Sequence, residues 1–208
     1  MKKVLVLVLI FIFSAVFYLN FNKSENIQEK IADKIIRFHV IGNSDSIEDQ
    51  RVKLQVRDNV LSFAADKLSS CKSIDDSKKV LMAYNDEIVN IANKTLKDNS
   101  MGYSAKAALG DDVFPVKQYG NIVLPEGKYE AYELVLGEGK GHNWWCVMFP
   151  PLCFIDITKG EASIDKTSKE MEKVLTKDEY NAVDGSDNKI IIKFKIIEII
   201  KNLFEKIE

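Results

Sequence analysis

Histidine, tryptophan and cysteine are scarce in this chain: two, two and three among 208 residues. Three cysteines cannot staple a domain of this length, so packing must hold it. No CxxC pair is present, which weakens any zinc reading of the cysteines. There is no serine nucleophile elbow, no HExxH, no phosphate loop and no DxDxDG calcium loop. Internal repeats and Gly/Ser- or Pro-rich tracts are missing as well. Lysine and arginine number 29 against 31 aspartates and glutamates, a formal net charge of -2. That balance carries no basic footprint for nucleic acid.

What is present begins with Met1-Lys2-Lys3 and an apolar run, residues 4–19, broken only by Ser14. A short positive end before a hydrophobic stretch marks a signal peptide or membrane anchor, here residues 1–21. Ser14-Ala15-Val16 is a poor cleavage site, so both forms stay open. In either form the remainder is expected outside the cytoplasm, where a disulfide can persist.

Residues 22–34 are polar and read as a tether. Over 35–41 the sequence IIRFHVI alternates like a strand, and Gly42-Asn43-Ser44-Asp45-Ser46 brings turn and cap chemistry. Val52, Val56, Val60 and Ala64 then predict a helix over 47–68, and Leu81, Tyr84, Ile88 and Ile91 a second over 77–97. Strand signals follow at 103–109, 113–119, 130–136 and 143–149. Asp111-Asp112 and Leu124-Pro125-Glu126-Gly127 read as turns between them. This order predicts a two-layer α/β domain over 35–157, a mixed β-sheet covered by a helical hairpin. Residues 158–189 read as a charged linker, with a short helix near 168–180 as the alternative. Ile192, Ile196, Ile199, Leu203 and Ile207 give 190–208 the pattern of an amphipathic helix, docked on the domain, a partner or a membrane.

Two stretches concentrate chemistry. The first, GEGKGHNWWCVMFPPLCF over 137–154, sets Gly137, Gly139, Gly141 and Asn143 before Trp144 and Trp145. On a strand these two rings point to opposite faces, one expected in the core and one away from it. Cys146 and Cys153 flank a Pro-Pro break between two apolar runs. Three roles compete for them: Cys146 as a nucleophile with His142 as base, a weak metal site, or a Cys146–Cys153 disulfide. The second stretch gathers Arg37, His39, Asn43, Asp45, Asp49, Gln50, Lys53 and Arg57 at a strand–helix junction. Here His39 with Asp45 or Asp49 is the catalytic reading, and a solvated helix face the plainer one.

RFHVIGNSDSIEDQRVKLQVRDNVL (37–61) and LPEGKYEAYELVLGEGKGHNWWCVMFPPLCF (124–154) resemble the two signature blocks of the stage II sporulation protein R family. The resemblance extends to the leader, the spacing between blocks and the FKIIEII-type terminus. Gly42 stands where many relatives carry alanine, which would ease the turn. The resemblance implies export from the forespore to the space between the septal membranes. It implies a signalling role there: activating a membrane-embedded aspartic protease of the mother cell, which processes the precursor of a sigma factor. No cofactor and no catalytic set are implied. The expected contact surface is the 137–145 loop with its outward Trp, and second the polar face from Arg37 to Arg57. The alternative is a cell-envelope hydrolase acting on peptidoglycan, through Cys146 or the His39/Asp45 pair.

Overall fold

The first strand, β1 (Ile36–Ile41), hands over through residues 42–46 to a long helix, α1 (Ile47–Leu68). The computed structural model describes residues 27–157 and 164–186, with positions 11, 190, 194 and 196. The expected leader over 1–21 and most of the expected terminal helix fall outside the described residues. Among the described residues no helix is long and apolar enough to cross a membrane.

Helix α1 starts where Ser46 accepts the Asp49 amide at 3.1 Å, satisfying an N–H that has no intrahelical partner. Its Val52, Val56, Val60 and Ala64 recur every four residues and are buried. The single helix expected over 77–97 is instead two, α2 (Ile74–Ala83) and α3 (Asn85–Asp98), broken at Tyr84. The break lets Leu81 of α2 and Ile88, Ala92 and Leu96 of α3 enter one core.

Five further strands follow: β2 (Ala105–Phe114), β3 (Lys117–Tyr119), β4 (Ile122–Leu124), β5 (Gly127–Leu136) and β6 (Asn143–Phe149). The main sheet runs β2-β5-β1-β6, with β1 parallel to β5 and antiparallel to β6, so the sheet is mixed as expected. β3 and β4 form a separate two-stranded ribbon. Asp111 and Asp112 do not make the expected turn. They lie inside β2, opposite Glu130 and Tyr129 of β5. β2 is an edge strand, where charges are tolerated and discourage pairing with a foreign strand.

Both faces of the sheet are covered, which corrects the two-layer expectation. On one face Phe38, Val40, Tyr132, Leu134 and Met148 meet α1, α2 and α3. On the other, Phe114, Tyr129, Ala131 and Val147 form a second core with Ile31, Ile35, Met171, Leu175 and Val183. Met171 belongs to α5 (Ile164–Glu172) and Val183 to α6 (Lys177–Val183). Much of the expected charged linker is therefore two docked helices. Part of the expected tether docks too: residues 27–32 are helical, and Ile31 is fully buried. Lys34 pairs with Glu179 of α6 at 2.6 Å. The pattern misleads because α5 and α6 are short and turn only a few apolar residues inward. The chain expected to return as a strand after Pro150-Pro151 instead forms a one-turn helix, α4 (Leu152–Ile157).

Candidate functional site

The polar residues at the end of β1 hold the glycine loop that follows β5. The Asn43 side chain donates to Asp49 Oδ2 at 2.9 Å and accepts the backbone N–H of Glu138 at 2.9 Å. The Lys140 amide donates to the Asn43 carbonyl at 3.2 Å, and the Gly141 amide to that of Gly42 at 2.8 Å. Gln50 donates to the Ser44 carbonyl at 2.8 Å and accepts from Lys53, whose Nζ also donates to the His142 carbonyl at 2.7 Å. Asp45 closes the circuit, accepting the His142 amide at 2.6 Å and contacting the His142 ring. These bonds form a clasp that joins two segments about ninety residues apart in sequence.

Asp49 is the hub of the clasp. Its carboxylate takes donors from Asn43, Ser44 and the Tyr103 hydroxyl. Burial pushes its pKa up, but these hydrogen bonds outweigh burial and hold it below the usual carboxylate range. Asp45 is lowered as well, first by the backbone bond from His142 and then by its ring. Burial lowers the Lys53 ammonium, aided by Arg57 and opposed by Asp45. The N–H and O–H donors explain why this spacing carries so many polar side chains: each answers a backbone or carboxylate group inside the clasp.

Two glycines are required by close approach. Gly137 has φ 59°, and a Cβ there would run into the Asn43 side chain. A Cβ at Gly141 would overlap the Ser44 carbonyl, a backbone group that cannot swing aside. Gly42 differs, because its φ is not positive and a Cβ would meet the Gln50 Nε2, the end of a flexible chain, at 2.6 Å. The expectation that Gly42 eases the turn is not what its backbone requires.

Outside this frame the loop is open to solvent. The side chains of Lys140 and His142 are 75% and 80% exposed, and that of Glu138 is 68% exposed.

Arg37 and His39 belong elsewhere. They point to the sheet face away from α1, and both are buried. The Arg37 guanidinium lies over the rings of Phe114, Tyr119 and Tyr129 and donates to the Cys146 carbonyl and the Tyr119 hydroxyl. The His39 ring stacks on Trp145 at 5.0 Å, and its Nε2 is 3.1 Å from Asp112. The expected polar contact face therefore splits: its first two residues are interior, and its middle forms the clasp. The two Trp rings do lie on opposite faces, as strand alternation demands. Neither is the outward ring expected, because Trp144 packs on Phe38 beneath Arg57, and Trp145 on His39 and Phe114.

Cys146 and Cys153 are joined as a disulfide, with Cα atoms 5.7 Å apart. This engages the sulfur that a nucleophile reading of Cys146 would use. His39 faces Asp112 and Glu133 rather than Asp45 or Asp49. Neither hydrolase constellation is assembled among the described residues. The sequence reading missed Tyr103, Asp112 and Glu133. Tyr103 reaches Asp49 across 54 residues of sequence, a contact no local pattern announces. Asp112 was hidden by its turn-like Asp-Asp context.

Fold and site together define a disulfide-bridged mixed α/β domain whose sequence-rich blocks fasten to each other. The sequence model of stage II sporulation protein R matches residues 32–159. Stage II sporulation protein R of Bacillus subtilis (strain 168) is 37% identical over 194 residues, covering 88% of this chain and 87% of that protein. The chain belongs to the stage II sporulation protein R family, and a role in sporulation follows from that membership. No solved structure matches it.

Proposed function

We propose that the chain is an exported sporulation signal. It acts by binding the outward-facing part of a membrane-embedded aspartic protease of the mother cell and favouring the protease's active form. The observation that carries this reading is the clasp. The two blocks by which the family is recognised converge on one rigid loop, and that loop turns Glu138, Lys140 and His142 to solvent. A preorganised charged loop loses little freedom on binding a partner. Binding the active state preferentially by about 1.4 kcal/mol would shift the active-to-inactive ratio tenfold.

Export would proceed through the 1–21 leader, cleaved or retained as an anchor, placing the domain between the septal membranes. The test is reconstitution in a non-sporulating host of three components: this chain, the protease and the sigma-factor precursor. Processing only when all three are made supports the reading. Absence of processing, with all three present and the chain exported, would sink it.

A further inference from the structure

The His39 region lies on the sheet face opposite α1 and takes no part in the clasp. We propose that His39, Asp112 and Glu133 form a binding site for a divalent transition-metal ion of the zinc class. Three adjacent strands deliver the donors: β1 brings His39, β5 brings Glu133 in direct register with it, and β2 brings Asp112. His39 Nε2 lies 3.1 Å from Asp112 Oδ2 and 3.7 Å from Glu133 Oε2. All three donor atoms fall within 4.8 Å of one another. Donors on a tetrahedral ion at ~2.1 Å lie about 3.4 Å apart, so these separations bracket what such an ion needs.

The second observation is the state of the imidazole. His39 is 1% exposed, yet neither ring nitrogen completes a hydrogen bond. The Nε2 is close to Asp112, but without a hydrogen bond of acceptable angle. A buried polar side chain left in this condition is unusual and calls for a ligand. The ring cannot easily turn elsewhere, since Trp145 stacks on it at 5.0 Å and Phe114 packs at 5.3 Å.

Two carboxylates so close to each other also need a cation between them. Burial opposes charge on His39 more than Asp112 and Glu133 favour it, and Arg37 adds to the opposition. The neutral imidazole is the form that binds metal. The two carboxylates are 37% and 35% exposed, which opens a path from solvent. One nitrogen with two carboxylate oxygens suits zinc better than calcium or magnesium, which take all-oxygen shells. Nδ1 has no acceptor, so the site lacks the outer bond that strengthens tight zinc centres. An exchangeable ion, with Kd on the order of micromolar, is expected.

The test is calorimetric titration of the full-length chain, purified in detergent, with zinc chloride. Cobalt absorption in the visible region reports the geometry. The wild type should take up one equivalent, and zinc should raise its thermal midpoint. D112N and E133Q alter partly exposed carboxylates, so the fold should survive, and each should weaken uptake at least tenfold. H142A and C71S should leave uptake unchanged. Two results would overturn the proposal: no uptake by the wild type at about 1 mM zinc, a thousandfold above the expected Kd, or uptake that D112N and E133Q do not alter.

Discussion

Asp49 shows how much a single carboxylate organises. It sits in the first turn of α1, where an acid is favoured by the helix dipole, and it also collects Asn43, Ser44 and Tyr103. Its folded-state pKa lies below its unfolded value. On acidification the unfolded chain therefore takes up the proton first. The stability Asp49 contributes is complete above the ordinary carboxylate range, near about pH 4, and is lost as pH falls through the depressed folded value. Urea midpoints measured from about pH 6 down to about pH 2 should show this loss, and D49N should flatten that part of the profile. A D49N profile with the wild-type slope would contradict the assignment. The two close glycines divide in the same manner. G141A forces a Cβ onto the Ser44 backbone and should destabilise by about 1–3 kcal/mol. G42A displaces only the Gln50 amide and its bond to Ser44, a loss of about 0.5–1.5 kcal/mol. Chemical denaturation of the two variants side by side checks that order.

At the level of elements, long periodic segments were legible and short ones were not. Helix α1 was readable over its whole length because its apolar residues recur through six turns and Ser46 caps it. Strand β6 was readable at both ends. The helices α5 and α6 were hidden because each buries only a few residues, Thr167 and Met171 in one, Glu179 and Val183 in the other. Covering the second face of the sheet is a tertiary event, and it turned Arg37, His39 and Trp145 from surface candidates into interior residues. The junction residues were singled out correctly as a group. Their role within the clasp was not legible, because the glycine loop they hold lies about ninety residues away. The Cys146–Cys153 bond ties β6 to α4 across a sequence separation of 7. A loop this short should contribute about 2–3 kcal/mol through the unfolded chain. Reduction should lower the urea midpoint accordingly, and an unchanged midpoint would show that packing alone holds the turn.

For the molecule as a whole, the clasp separates folding from signalling. Asn43, Asp49, Gln50 and Lys53 face inward to the loop, whereas Glu138, Lys140 and His142 face solvent. Replacing either Trp would disturb a core face, so Trp variants cannot tell a lost contact from a lost fold. The exposed loop side chains can. The most direct measurement is the fraction of sigma-factor precursor processed in the three-component host by an E138A/K140A/H142A chain. Export and the urea midpoint are followed in parallel. The account predicts at least a tenfold fall in processing, the factor that about 1.4 kcal/mol of lost binding preference represents, with export intact and stability changed by no more than about 0.5 kcal/mol. Processing at the wild-type level by this folded, exported variant would contradict the claim that the clasped loop carries the signal.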